Sequence, residues 1–144
     1  MTKERIDIEI CYFGVVTAKK NSKQIVRNPR TGRPMVISNR AAKAQENDMA
    51  WQFSIDATEA LDKKGIALSD WKYFPHELVV EIWNKDKRRH DLDNQLSSIQ
   101  DALVLAGVIP DDDPRYIPAV TVRYMGVDKE SPRVIIKLKT EVDL

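Results

Sequence analysis

The sequence is poor in several features that define large classes of protein. Its 144 residues include one cysteine, Cys11, so no intramolecular disulfide can form and we expect a protein of the reducing cytoplasm. No apolar run approaches the roughly 18 residues that span a bilayer. Residues 1–7 alternate in charge instead of opening a hydrophobic stretch, so we expect neither a membrane protein nor a signal peptide.

Histidine is also scarce, which narrows the catalytic chemistry. The chain has 2 histidines, and neither lies near a Gly-x-Ser-x-Gly turn, so a Ser/His/Asp hydrolase is poorly supported. His76 follows Pro75 at the start of a predicted strand, where we expect a structural role. His90 adjoins an acidic segment and could contact phosphate, although an incidental place beside that segment explains it equally well.

Net charge is nearly absent, but positive charge is concentrated in two segments. The chain has 23 Lys and Arg against 22 Asp and Glu, for a formal net charge of +1. Residues 17–45 contain basic side chains and no acid, and residues 85–90 form a second basic cluster interrupted only by Asp86. A polyanion responds to the local field, so these segments predict a DNA-binding face, and the alternative is a pair of solubilising loops. The predicted DNA-contacting residues are Lys19, Lys20, Arg27, Arg30, Arg33, Lys87, Arg88 and Arg89.

Length and hydrophobic patterning predict one α/β (α+β) domain over residues 1–144. Four segments show the period-two alternation of strands: residues 5–16, 77–83, 116–125 and 132–139. In the third segment, the apolar residues of the predicted strand are Ile117, Val120, Val122 and Tyr124. Pro and Gly between two short extended pieces predict a basic loop or hairpin at residues 24–37.

Two helices are predicted between these strands. The first covers about residues 40–63 after a capping Ser38 or Asn39, with Trp51 and Ile55 on its buried side and Leu61 as a further candidate. The second has a single apolar stripe and ends at Gly107; the stripe consists of Leu92, Leu96, Ile99, Leu103 and Ala106. Together the elements predict a mixed sheet of about four strands with two helices packed on it.

Two acids stand where the second basic cluster meets the second helix. Asp91 and Asp93 are two apart in an extended segment, so their carboxylates can converge. Mg²⁺ takes one or two carboxylates together with waters and substrate phosphates, which suits phosphodiester chemistry beside basic residues. The alternative is helix capping by Asp91 with a favourable first-turn charge on Asp93.

Further acids can face the same region. Asp93, Ser97 and Asp101 follow one another at steps of four residues, so they form one polar ridge beside the apolar stripe. After the helix, residues 111–113 place three aspartates on a turn. Like charges gathered without a cation repel one another, which favours a metal bridging to phosphate, and the alternative is an ordinary exposed turn.

The spacing of these motifs resembles a known signature. Asp91-Leu-Asp-Asn94 is followed by Asp101-Ala-Leu103, Ala106-Gly-Val108 and Asp111-Asp112. This succession resembles the RusA-type Holliday junction resolvases, closely over residues 88–113 and loosely elsewhere. The resemblance implies a small homodimer, of phage or bacterial origin, that acts in DNA recombination and repair. It would bind four-way DNA junctions and nick them symmetrically with Mg²⁺, or with Mn²⁺ as a substitute.

The resemblance also assigns roles to individual residues. It implies that Asp91, Asp93 and Asp112 are the catalytic metal ligands, with Asp111 and Asp113 as neighbouring candidates for the third. In this interpretation Asn94 orients a ligand or water, and Asp101 supports the site.

One position departs from the signature. The family carries a lysine three residues after its Asn, where this chain has Ser97. The absence of this lysine either lowers activity or means that another base neutralises the phosphate. The candidates for that base are Lys19, Lys20, Lys87 and Arg89. The leading hypothesis is therefore a metal-dependent endonuclease of branched DNA. The alternatives are a junction-binding protein with weak or lost cleavage and an interaction domain with no nucleic-acid role.

Overall fold

The computed structural model describes residues 3–17, 23–38, 40–88 and 90–143. The predicted contributions of Lys19, Lys20, Asn39 and Arg89 lie outside the described residues. In chain order the elements are β1 (Lys3–Arg5), β2 (Ile8–Phe13), β3 (Lys23–Arg27), β4 (Pro34–Ser38), α1 (Arg40–Asp62), α2 (Leu68–Trp71), β5 (His76–Asn84), α3 (Leu92–Leu105), β6 (Ala119–Val127) and β7 (Arg133–Asp143).

Five of the strands form one mixed sheet. β7 is central and pairs antiparallel with β1 and β2 on one side and with β5 on the other, while β6 runs parallel to β5 at the outer edge. The sheet has one strand more than predicted because the first segment breaks at Ile6 and Asp7. There the Asp7 carboxylate accepts a hydrogen bond from the Thr140 backbone N–H at 3.1 Å. The α+β class is confirmed.

The core lies between one face of this sheet and the two long helices. Alternate residues of β2, β5 and β7 are buried, as the period-two pattern requires: Ile8, Ile10, Leu78, Val80, Ile82, Val134, Ile136 and Leu138. Ile99 and Leu103 of α3 join them. Gly107 adopts a left-handed φ of 74°, and the Val108 N–H bonds back to the Leu103 carbonyl, which ends α3 where predicted.

The buried face of α1 differs from the prediction. Trp51 is 72% exposed and Ile55 is also exposed, whereas Leu61 is buried as expected. The buried stripe is Met49, Phe53, Ala57 and Leu61, at steps of four residues. Trp51 and Ile55 each lie two residues after a member of this stripe, about 200° around the helix, so they face away from the core.

The alternation of β6 is present, but its burial is not. Ile117 is buried and Val122 half-buried, whereas Val120 and Tyr124 remain exposed. The reason is topological, because β6 is the edge strand and the helices cover its margin incompletely. Period-two alternation identifies a strand without locating it in the sheet.

His76 has the structural role that we expected. It is fully buried, and its ring lies 4.2 Å from the Trp71 ring, centroid to centroid. His76 Nε2 donates to the Lys72 carbonyl at 3.2 Å, which leaves Nδ1 to accept from the Thr140 hydroxyl at 2.6 Å. Burial lowers the pKa of His76 to about 4, so the ring is neutral near pH 7.

Within the described ranges, none of the helices combines the length and apolar character required to cross a bilayer.

Candidate active site

The start of α3 brings two of the predicted site residues together. Asp91 is the N-cap residue, with an extended backbone (φ −80°, ψ 119°), and its carbonyl accepts the Gln95 N–H at 3.0 Å. Its carboxylate makes no capping hydrogen bond. Instead Asn94 Nδ2 donates to Asp91 Oδ2 at 3.2 Å. Capping therefore does not explain the Asp91 carboxylate, and Asn94 orients it.

The other acids of α3 are spread along the helix. Asp93 is exposed in the first turn, where its negative charge complements the helix dipole. Asp101 is half-buried two turns later. The helical rise separates these two residues by about 12 Å along the axis, so the polar ridge is continuous but not convergent.

The acidic turn after α3 distinguishes its three aspartates. Asp113 forms a two-pronged ion pair with Arg115, at 2.7 and 3.0 Å, and this pairing lowers the pKa of Asp113. Asp112 has the opposite environment. Desolvation raises its pKa, and the hydrogen bond and charge of Asp111 and the charge of Asp101 raise it further. Asp112 is therefore the turn acid that faces other carboxylates.

These residues form two acidic groups along α3 rather than one cluster. Asp91 lies with Asn94, and Asp112 lies with Asp111 and Asp101. Over the described part of the chain, no three His, Cys, Asp or Glu side chains are placed to hold a metal ion together. The donor chemistry nevertheless fits Mg²⁺, since carboxylate oxygens are its ligands and one or two suffice when substrate phosphate completes the shell.

Two polar side chains of α3, which were not predicted as functional residues, form hydrogen bonds with the start of the basic segment. Buried Gln95 donates from Nε2 to the Val16 carbonyl at 2.9 Å and to Asn84 Oδ1 at 3.1 Å. Ser98 Oγ donates to the Thr17 carbonyl at 3.1 Å. These contacts join residues up to 81 positions apart, so no local sequence signal could have revealed them.

Gln45 holds the same segment from α1. Its Nε2 donates to the Val15 carbonyl at 2.6 Å, and its Oε1 accepts from the N–H and hydroxyl of Thr17 at 2.9 and 2.8 Å. The start of α1, the start of α3 and residues 15–17 therefore meet at one end of the molecule. The chain enters the predicted basic segment from this end.

The predicted DNA-contacting residues that the structure describes are all exposed. β3 and β4 pair as an antiparallel hairpin, which confirms the predicted hairpin and carries exposed Arg27, Arg30 and Arg33 at and near its tip. Gly32 at φ 69° permits the tight turn, and the Asn28 N–H bonds to the Arg33 carbonyl at 2.8 Å. Lys87 and Arg88 are exposed on the turn between β5 and α3.

A cleft of about 310 Å³ opens beside this turn. It is lined by Asn84, Lys87, Arg88, His90, Leu92 and Tyr124. His90 and Leu92 flank Asp91, so the cleft adjoins the candidate carboxylates. Tyr124 was predicted only as a strand residue, because edge exposure cannot be read from alternation.

Comparison with known proteins adds no relative: no family model matches the sequence, and no curated protein matches it significantly.

Proposed function

We propose that this protein is a metal-dependent endonuclease that cleaves branched DNA, with Asp91, Asp93 and Asp112 as the metal-binding acids. The observation that carries the proposal is the Asp91 carboxylate, which stands at a helix start without capping it and is held by Asn94. A structural role would have used that carboxylate for the helix. A site for a hard cation needs it oriented and accessible instead.

We assign a different role to each of the acids. Asp91 and Asp93 supply two carboxylates beside the basic turn, which is enough for Mg²⁺ when a DNA phosphate completes its ligands. Asp112 is assigned as the third acid by the motif resemblance, and its neighbour Asp101 supports it. The chemistry that a divalent cation supplies when bound is activation of water and neutralisation of charge on the phosphate.

The positive surfaces support DNA as the substrate. The hairpin cations Arg27, Arg30 and Arg33 are exposed, and Lys87 and Arg88 are exposed on the turn that leads to Asp91. Phosphate contacts position a protein on nucleic acid, so these cations would hold the DNA backbone near the candidate acids. Paired cuts across a junction further require two copies of the chain, so we propose a homodimer.

The proposal is tested by incubating the protein with a labelled four-way junction or a matched linear duplex, in Mg²⁺, Mn²⁺ or EDTA. We expect nicking of the junction with either metal, no nicking in EDTA, and little cleavage of the duplex. Light scattering of the same sample measures whether the chain is a dimer. Absence of nicking in both metals, with the junction bound, would refute the endonuclease.

A second candidate function is binding of branched DNA without efficient cleavage. Ser97 stands where the resembled signature has a lysine, and no three of the described acids are placed to hold a metal ion together. Such a protein would act by occupying the junction. Junction binding that is metal-independent, together with no nicking, would favour this second function.

A further inference from the structure

The cleft between β6 and the turn after β5 has the composition of a nucleotide subsite. Tyr124 pairs in register with Ile82, which is buried, yet β6 is the edge strand and the Tyr124 side chain remains 49% exposed. A half-exposed aromatic side chain in a concave site provides a π face for a flat ligand. The volume of about 310 Å³ is at the lower end of small-molecule pockets, which run from about 300 to 1,000 Å³.

Cations that line the same cleft could contact the phosphate of a nucleotide. Lys87 and Arg88 line the cleft with Tyr124. Arg88 is only loosely paired, since its Nε lies 3.9 Å from Asp86 Oδ2 and its side chain is 82% exposed. An aromatic platform combined with a positive rim is how proteins hold unpaired bases without reading their sequence.

The position of the cleft relates it to the candidate acids. Its wall includes His90 and Leu92, the residues on either side of Asp91. A nucleotide seated there would place its neighbouring phosphodiester close to the segment that carries Asp91. A paired base cannot offer its face to Tyr124, because stacking within the duplex covers both faces.

The geometry points to a subsite in which Tyr124 stacks on an unpaired DNA base while Lys87 and Arg88 contact the adjacent phosphates. The inference rests on the proposed function, because it names the nucleotide that this site would accept next to the cleaved bond. It supplies a reason for branched DNA to be preferred, since bases at a branch point can leave the stack.

The test measures equilibrium binding in EDTA, so that it does not depend on cleavage. The probes are a short oligothymidylate and an abasic oligomer of the same length. Tyr124→Ala should weaken oligothymidylate binding by about 5- to 150-fold and leave abasic binding unchanged. Tyr124→Phe should bind like the wild type because it keeps the ring. Tyr73→Ala is the matched control, since Tyr73 is 59% exposed and precedes β5 at its opposite end.

The two probes separate the possible outcomes. Loss confined to the base-bearing probe supports the subsite. Equal loss on both probes, or no loss on either, overturns it, and an unchanged melting temperature of Tyr124→Ala shows that the fold is not the cause. Junction nicking by the wild type is scored separately. Nicking with an inert Tyr124 rejects the subsite alone, and a base-specific Tyr124 effect without nicking rejects the endonuclease alone.

Discussion

The polar side chains at the two ends of strand β5 differ in burial. At its first residue, buried His76 is stacked on Trp71 and hydrogen-bonded through both ring nitrogens to Thr140 and the Lys72 carbonyl. Beyond its last residue, Lys87, Asp91 and Asp93 are all exposed within a short span of chain. The two ends are separated by about 26 Å of extended strand.

The difference indicates which polar residues serve the fold and which serve a ligand. A buried polar group must be satisfied inside the protein, because leaving it unpaired costs about 1–3 kcal/mol. His76 meets this requirement with protein partners at both ring nitrogens. At the other end, the Asp91 carboxylate is held by Asn94 but leaves the helix N-terminus uncapped, as a group that meets a ligand would.

A large effect on nicking is expected at the acidic turn. Asp112→Asn should lower junction nicking by at least about 100-fold, because a lost metal ligand removes several kcal/mol of charge stabilisation. Asp113→Asn should leave nicking near the wild-type rate, since Asp113 is engaged with Arg115. Cleavage rates under single-turnover conditions compare the two. Equal rates for Asp112→Asn and the wild type would remove Asp112 from the site.

At the opposite end of β5 we expect a change in stability with pH. The folded-state pKa of His76 is about 4, below the ordinary 6.5, so the unfolded chain binds more protons between these values. Its contribution is complete above pH 6.5 and is lost as the pH falls toward 4. Urea unfolding should show a loss of about 2 kcal/mol from pH 7 to 5.

The variant His76→Gln isolates that contribution. Its unfolding free energy should vary less between pH 7 and 5 than that of the wild type. An identical slope in His76→Gln would show that other groups cause the pH dependence.

A smaller effect is expected on the polar ridge of α3. Ser97→Lys should raise the nicking rate by about 5- to 150-fold if phosphate neutralisation is incomplete at this position. Ser97 is half-buried, and the introduced lysine is a slightly better helix former, so the fold should tolerate the change. A flat or reduced rate with junction binding preserved would show that another base already fills the role.

The hairpin is expected to contribute affinity rather than chemistry. Neutralising Arg27, Arg30 and Arg33 together should reduce the slope of log affinity against log salt by about 0.9 for each lost phosphate contact. Lys63 and Lys64, which directly follow the last residue of α1, provide a control in which two cations away from the hairpin are neutralised. An unchanged slope in the hairpin variant would mean that the hairpin only solubilises the protein.

Local sequence patterns predicted the helices and strands themselves better than they predicted which side chains are buried. The stripe of α3 and its stop at Gly107 are encoded within one helix, so they were predictable. The exposure of Trp51 and Tyr124 depends on which elements lie next to α1 and β6, and periodicity does not contain that information. The link from Gln95 to Val16 spans 79 residues and is set by the tertiary fold alone.

The same limit applies to the candidate site. The Asp91 and Asn94 pair is local to one helical turn and follows from the motif. The approach of Asp112 to Asp101 depends on how the chain turns after α3. The spacing of residues in the sequence could not distinguish this arrangement from a single cluster of Asp91, Asp93 and Asp112.

The central claim is that chemistry resides at the Asp91 end of β5, and one paired measurement tests it most directly. Asp93→Asn and Asp70→Asn each remove an exposed carboxylate, the first beside the candidate site and the second in α2, just before the His76 end. With a four-way junction and Mg²⁺, Asp93→Asn should abolish nicking while junction binding is kept or tightened, and Asp70→Asn should nick like the wild type. Nicking by Asp93→Asn at the wild-type rate would contradict the account.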